Sequence, residues 1–138
     1  MVRVLMGLRG SGKTKTMIAM IKQASKDESG CVIALERGRK LVTEIHARTA
    51  RLIDMKEYDV RSYQVLRGFI TGLYAGNYDI THVFIDSLIK IVNCDEMSEL
   101  ERFLEWMEKF GKQNSITFTV SVSAEVSAAT EKIKTYFI

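Results

Sequence analysis

The chain has 138 residues, of which 46% are hydrophobic, and its formal net charge is +3. This length and composition are typical of one folded domain and exclude an intrinsically disordered chain. No apolar run approaches the roughly 18 residues that a membrane-spanning helix needs, and the first residues do not resemble a signal peptide. We therefore expect a single cytoplasmic domain over residues 1–138.

The chain begins with a short apolar run, residues 2–6, which predicts a buried strand. Residues 7–14 follow directly and match G-x-x-x-x-G-K-[ST], the pattern of a phosphate-binding loop. Apolar residues then recur at helical spacing over residues 13–26. Strand, glycine-rich loop and helix are the setting in which this motif binds a nucleoside triphosphate. The sequence therefore predicts a nucleotide-binding domain.

Each residue type in this loop has a separate chemical role. The glycines let the backbone fold around phosphates with its N–H groups pointing inward, and the following helix adds its positive dipole end. Lys13 is expected to reach the outer phosphates, and the Thr14 hydroxyl to bind Mg²⁺. With ATP and Mg²⁺ as ligands, the predicted cofactor-binding residues are Gly7, Leu8, Arg9, Gly10, Ser11, Gly12, Lys13, Thr14 and Lys15.

Strand-like runs and helical patterns alternate along the rest of the chain. The predicted elements are a strand over 31–35, a helix over 40–54, a short extended piece over 58–62, a helix over 63–74, a strand over 81–86, a helix over 95–112, a strand over 116–122, a short helix near 126–131 and a last strand over 134–138. Helix 40–54 would turn Leu41, Val42, Ile45, Thr49 and Leu52 inward.

This alternation predicts an α/β fold of the P-loop NTPase type, with a parallel five-stranded sheet and helices on both faces. Numbered in chain order, the strands are expected in the order 5-1-4-3-2. Asp86 ends the strand predicted over 81–86, so it should reach the same sheet edge as the loop. A carboxylate there can hold Mg²⁺ opposite the Thr14 hydroxyl. Thr14 and Asp86 are therefore the predicted metal residues.

The residue after Asp86 is Ser87, not the glutamate that many ATPases use to activate water. A base must therefore come from elsewhere if this chain hydrolyses ATP. Glu36 is the best candidate because it ends the second predicted strand at the same sheet edge. Glu125, just past the strand over 116–122, is the second candidate. Lys13 and Glu36 are the predicted catalytic residues; the alternative for Glu36 is a solvated loop carboxylate.

The loop over 7–14, the run 31–36 and the segment Val83-Phe84-Ile85-Asp86-Ser87 resemble the RecA-like branch of P-loop ATPases, which includes KaiC-like and DnaB-like proteins. The resemblance implies that the catalytic glutamate ends the strand after the loop, where this chain has Glu36. It also implies a γ-phosphate sensor at the end of the fourth strand, where Ser121 and Ser123 match. The family's loops for single-stranded DNA are longer than the connections here, over 93–98 and 124–127.

Each of two groups of basic residues can be interpreted either as a functional group or as ordinary surface residues. Lys132 and Lys134 resemble the Lys-x-Lys finger that the family inserts into a neighbouring subunit, but two lysines flanking a strand residue would look the same. Arg37, Arg39, Lys40, Arg48 and Arg51 form a cluster that suits nucleic acid, an acidic partner or the nucleotide, or is a solvated helix face. No aromatic residue interleaves with this cluster, so the sequence does not support a stacking platform for single strands, and nucleic-acid binding is possible but unsupported.

The sequence predicts an Mg²⁺-dependent ATP-binding protein, a slow RecA-like ATPase that couples nucleotide state to a conformational or assembly change. ATP is favoured over GTP because the chain has no Asn-Lys-x-Asp motif and no D-x-x-G at Asp86. The alternatives are a small-molecule or nucleoside kinase and a non-catalytic nucleotide-binding module. A homo-oligomer or a protein partner is left open. Cys31 and Cys94 lack zinc-ligand spacing and suit a reducing cytoplasm.

Overall fold

Five parallel strands form the central sheet of the protein. The structure is a computed structural model that describes residues 1–46 and 50–138. The strands are β1 (Val2–Gly7), β2 (Cys31–Glu36), β3 (Arg51–Asp54), β4 (Ile80–Ile85) and β5 (Thr117–Ser123). Their order across the sheet is β1-β5-β4-β2-β3. The central strands are almost continuous apolar runs because helices cover both faces of a parallel sheet.

The helices are α1 (Lys13–Asp27), α2 (Lys40–Glu44), α3 (Tyr63–Gly76), α4 (Leu88–Val92), α5 (Met97–Asn114) and α6 (Glu131–Lys134). One face of the sheet packs against α1 and α2, through residues that include Met17, Ile21 and Leu41. The other face packs against α3, α4, α5 and α6 in a larger core, which includes Leu66 and Phe103. The two layers hold the strands in place, so the residues at their carboxyl ends are set on a rigid support.

The predicted fold class is confirmed: the sheet is parallel, has five strands and carries helices on both faces. The four strands β1, β5, β4 and β2 follow the predicted order. Helices α3 and α5 lie within two residues of their predicted bounds. Ser62 begins α3 by accepting a hydrogen bond from Val65 N, as a capping serine does.

The predicted helix over 40–54 is wrong. Of the residues that the structure describes in this segment, only Lys40–Glu44 are helical. Arg51–Asp54 is instead the edge strand β3, paired in parallel with β2 from Ile33↔Arg51 to Glu36↔Asp54. The backbone groups on that side of β2 need partners, and this pairing outweighs the local helical pattern. Leu41 and Ile45 are buried as expected, whereas Val42 is exposed. Thr49 lies outside the described residues.

The end of the chain also differs from its prediction. A single turn of 3-10 helix over Val126–Ala128 precedes α6, whose first turn is capped by the Thr130 side chain. Lys134 therefore belongs to a helix, and the last predicted strand is reduced to one bridge between Val4 and Phe137 beside β1. Residues 58–62, predicted as extended, form a turn without a strand. Within 1–46 and 50–138, no helix is both long and apolar enough to cross a bilayer.

Candidate phosphate-binding site

The glycine-rich loop connects β1 to α1 through two residues with left-handed backbone. Gly10 has φ +84° and Gly12 has φ +89°, a region that is unfavourable for any residue with a Cβ. At Gly7 the constraint is space, because an added Cβ would lie 2.7 Å from Ser11 Oγ. Gly12 caps α1 without offering a side-chain acceptor, so the first-turn N–H groups are left for an anion.

The Lys13 ammonium group lies across this loop. Its Nζ donates to Gly7 O at 2.7 Å, to Leu8 O at 2.9 Å and to Ser11 Oγ at 3.3 Å. Partial burial lowers the pKa of Lys13, and the Asp86 carboxylate acts in the opposite direction with a smaller effect. The loop and its lysine therefore form one compact, positively charged unit.

Asp86 follows β4 and is buried beneath the loop, with only 3% of its surface exposed. Its backbone N–H donates to Leu35 O at 2.9 Å, which fixes it beside β2. Its Oδ2 accepts a hydrogen bond from Thr14 Oγ1 at 3.3 Å, although the two residues are 72 positions apart. A hydroxyl and a carboxylate at this distance are the hard oxygen ligands that Mg²⁺ prefers, so the pair fits that ion.

The two serines near the end of β5 have different surroundings. Ser121 is fully buried; its hydroxyl donates to Asp86 Oδ1 at 2.7 Å and accepts from Ser87 N at 2.7 Å. Ser87 itself has φ +54°, a left-handed conformation that this hydrogen bond helps to hold. Ser123 is exposed and lines the cavity over the loop. Of the two sensor candidates, Ser123 lines that cavity and Ser121 does not.

Glu36 ends β2 and is buried, with 6% of its surface exposed, so it is not a solvated loop carboxylate. Its Oε1 accepts a hydrogen bond from Leu41 N at 2.8 Å. Burial raises the pKa of Glu36, and the neighbouring charges of Asp86 and Asp54 raise it further, against the opposing effect of the Leu41 hydrogen bond. Glu125 is exposed, and its Oε2 accepts from Ser127 Oγ at 3.4 Å.

Two adjoining cavities lie beside the loop and the start of α1. The first has a volume of about 740 Å³ and is lined by loop residues together with Ser87, Ile89, Lys90 and Ser123. Five cations line it: Arg9, Lys13, Lys15, Lys40 and Lys90. The second, of about 690 Å³, lies between α1 and α2 and shares Thr14, Lys15 and Lys40 with the first. The arrangement gives a strongly positive compartment next to one lined partly by Ile18 and Ala19.

Of the predicted cluster of basic residues, as far as the structure describes them, Lys40 lines this cavity and the others do not. Arg39 and Arg51 are exposed, Arg37 is half-buried, and Arg48 lies outside the described part of the chain. On the opposite side of the sheet, Lys132 Nζ lies 3.9 Å from Glu108 Oε1, and Lys134 Nζ lies 3.3 Å from Glu131 Oε1. Neither lysine lines the cavity over the loop of its own chain.

The sequence interpretation missed one carboxylate at this sheet edge, Asp54. It ends β3 beside Glu36, and its Oδ1 accepts hydrogen bonds from Gly38 N at 2.9 Å and Lys56 N at 3.0 Å. The signal was present, because Leu52-Ile53-Asp54 has the same pattern of apolar residues and terminal aspartate as Phe84-Ile85-Asp86. This strand pattern was not recognised because the segment was predicted to be part of a helix over 40–54.

These features define an α/β domain of RecA-like fold with a glycine-rich loop between its first strand and first helix. The chain is similar to a KaiC-like protein from the hyperthermophilic archaeon Pyrococcus horikoshii, with a TM-score of 0.63 and 16% sequence identity. The similarity covers 98% of this chain and 66% of the archaeal protein, so this chain spans slightly less than two thirds of that structure. No protein-family model and no curated protein sequence matches it.

Proposed function

We propose that this protein binds ATP with Mg²⁺ at the loop over residues 7–14 and hydrolyses it slowly. The observation that carries the proposal is the 3.3 Å contact between Thr14 Oγ1 and Asp86 Oδ2. It joins the residue that ends the loop motif to a carboxylate at the end of another strand, as an Mg²⁺-dependent phosphate site requires. The RecA-like fold is consistent with this use of the sheet edge.

The loop provides most of the binding to the phosphates. Its N–H groups and the positive end of α1 would bind the phosphate chain, and Lys13 would exchange its loop carbonyl contacts for phosphate oxygens. The nucleoside would extend into the cavity between α1 and α2, where Ile18 and Ala19 offer an apolar surface. The five cations around the first cavity would attract the anionic ligand and raise its local concentration.

Thr14 and Asp86 are the residues that would hold Mg²⁺. Bound there, the ion would offset the negative charge of the phosphates and fix their orientation. The role of the chain is to supply a preorganised carboxylate. Asp86 is held from one side by Ser121 and from the other by Thr14, so its two oxygens need little rearrangement on binding.

Glu36 would orient the attacking water and accept its proton. Its raised pKa suits this role, because a base is most effective when its pKa approaches the working pH. The bond from Leu41 N occupies Oε1, which leaves Oε2 for the water. The output would be a change in conformation or assembly, transmitted through residues 37–40 and α2, which follow Glu36 directly.

One observation favours a second candidate, a nucleotide-binding module that does not hydrolyse ATP. Glu36 is buried and hydrogen-bonded to Leu41 N, and it is not among the residues that line the cavity over the loop. In such a module, Glu36 would only hold the turn after β2 through this hydrogen bond and would activate no water. The two candidates share the same binding site and differ only in turnover.

The test is to measure ATP binding and phosphate release in parallel, with Mg²⁺ present. We expect the wild type to release phosphate slowly, Glu36→Gln to bind ATP without releasing phosphate, and the matched control Glu125→Gln to behave like the wild type.

Binding of ATP without phosphate release by the wild type would favour the module. Release of ADP only when a phosphoryl acceptor is added would indicate a kinase. Failure to bind ATP would overturn the proposal. Sedimentation with and without nucleotide would test the change in assembly.

A further inference from the structure

Asp54 joins two chain segments that leave the same edge of the sheet. Strands β2 and β3 end in register, with Glu36 opposite Asp54. One oxygen of Asp54, Oδ1, accepts a hydrogen bond from Gly38 N in the turn after β2 and another from Lys56 N in the turn after β3. A single side-chain atom therefore fixes both turns relative to each other.

The turn after β2, residues 37–40, has an unusual backbone at its second position. Gly38 has φ +135°, where residues with a Cβ are strained, although an added Cβ would meet no atom within 4 Å. Glycine is therefore needed here for its backbone freedom and not for lack of space. Because glycine is also flexible, a specific contact is required to hold the turn in one path, and the Asp54 carboxylate supplies it.

The same turn determines the direction of the Glu36 side chain. Glu36 Oε1 accepts a hydrogen bond from Leu41 N at 2.8 Å, and Leu41 directly follows the turn. The position of Leu41 N depends on the path of residues 37–40, which the Gly38–Asp54 bond fixes near its start. Asp54 and Glu36 thus bind the two ends of one turn.

Asp54 is a strong acceptor for these contacts. Its hydrogen bonds from Lys56 N and Gly38 N lower the pKa of its carboxyl group, against the opposing effect of burial, and the charges of Lys56 and Arg39 act in the same direction as the bonds. A charged acceptor forms shorter and stronger hydrogen bonds to backbone N–H groups than a neutral one.

We propose that Asp54 is a positioning residue, which holds the turn over residues 37–40 in the path that keeps Leu41 N bonded to Glu36 Oε1 and so leaves Glu36 Oε2 for the attacking water. The inference rests on the proposed role of Glu36 and extends it, because it assigns a function to a residue that would touch neither nucleotide nor water. It requires that loss of the Asp54 oxygen reduces turnover while nucleotide binding is unaffected.

The test compares substitutions at one position. Asp54→Ala removes the acceptor, whereas Asp54→Asn keeps an oxygen that can accept both bonds. We expect kcat to fall by about tenfold or more in the alanine variant, since a misplacement of about 1 Å can cost up to about 100-fold. KM and the affinity for ATP should change less than about twofold, and asparagine should restore most of kcat. Asp59→Ala, which removes an exposed aspartate with the same charge change, is the matched control.

A second measurement does not depend on turnover. Hydrogen exchange at the Gly38 amide of the nucleotide-free protein should accelerate in Asp54→Ala and remain slow in Asp54→Asn. If the alanine variant does not fold, Asp54→Glu, which retains the charge but moves the oxygen by one methylene, should show the same changes in part. Wild-type kcat in a folded Asp54→Ala, or a loss that asparagine does not restore, would overturn the inference. A wild type without turnover would overturn the proposed hydrolysis, and the exchange of Gly38 would still test the contact.

Discussion

The Ser121 hydroxyl donates a 2.7 Å hydrogen bond to Asp86 Oδ1 across the neighbouring strands β4 and β5. Ser121 Oγ also accepts a hydrogen bond from Ser87 N, so Ser121 connects the carboxylate to the backbone that follows it. Both partners are buried, and a buried acceptor that loses its donor is costly. The orientation of the proposed magnesium ligand thus depends on a residue that the sequence suggested only as a sensor.

We expect Ser121→Ala to lower the free energy of unfolding by about 1–3 kcal/mol, because it leaves Asp86 Oδ1 and Ser87 N without their partner. Urea unfolding measures this change. Ser123→Ala, two residues further along the same strand but exposed, is the control and should stay within about 0.5 kcal/mol of the wild type. Equal effects of the two substitutions would contradict the role given to Ser121.

Glu36→Gln should stabilise the protein at neutral pH. The folded-state pKa of Glu36 is raised, chiefly by burial, above its ordinary value of 4.5. Between these two values the native state binds more protons than the unfolded state, so the contribution of Glu36 to stability falls as the pH rises through this window. Glutamine removes that cost and can still accept from Leu41 N.

The measurement for Glu36 is urea unfolding at pH 7 and at pH 4, where the side chain is protonated in the native state. We expect the stabilisation by Glu36→Gln to be present at pH 7 and to shrink at pH 4. Glu125→Gln, at an exposed position, should show neither effect. A glutamine variant that is less stable than the wild type at pH 7 would show that the charged form is favoured in the native state.

His82 predicts a second pH dependence, with the opposite sign. The ring is buried in contact with Glu28 Oε2 and Thr119 Oγ1, each at 2.8 Å, and it stacks on Phe84. Burial lowers the pKa of His82 below 6.5, outweighing the hydrogen bond and the charge of Glu28, which raise it. The unfolded state therefore binds the proton first, and stability should fall as the pH decreases through 6.5 toward the folded-state pKa.

Thermal unfolding between pH 7.5 and pH 5 measures this dependence. We expect the Tm of the wild type to fall over the range and the Tm of His82→Gln to change less, because glutamine does not titrate there. His82→Gln also serves as the control, because a Tm that is lower at every pH does not change how steeply the Tm falls with pH. A wild-type Tm that rises as the pH falls toward 5 would indicate that Glu28 dominates and that the pKa of His82 is raised.

The loop and the sheet edge could be predicted from the sequence because local rules determine them. The glycines, Lys13 and Thr14 form a contiguous motif with fixed geometry, and Asp86 follows an apolar strand whose end must lie at the same edge. The large amphipathic helix α5 was equally clear, because its buried face recurs at helical spacing.

The region after β2 could not be predicted in this way. Arg51–Asp54 is a strand because β2 offers it an edge, and that partner lies 18 positions earlier in the chain at Ile33↔Arg51. Helical spacing in the same segment was a competing local signal, and tertiary pairing outweighed it. Because the prediction lacked β3, it also missed Asp54 and its contact with Gly38. No local pattern places those two residues together.

Calorimetric titration of ATP with Mg²⁺ into the wild type and Lys13→Ala measures whether the loop over 7–14 binds a nucleoside triphosphate. Lys26→Ala, which removes an exposed lysine at the other end of α1, is the control for net charge. We expect saturable binding by the wild type and by Lys26→Ala, with affinity at least about tenfold lower in Lys13→Ala, a loss of about 1.4 kcal/mol. Equal affinity in all three proteins, or no binding by the wild type, would show that this loop does not bind the nucleotide.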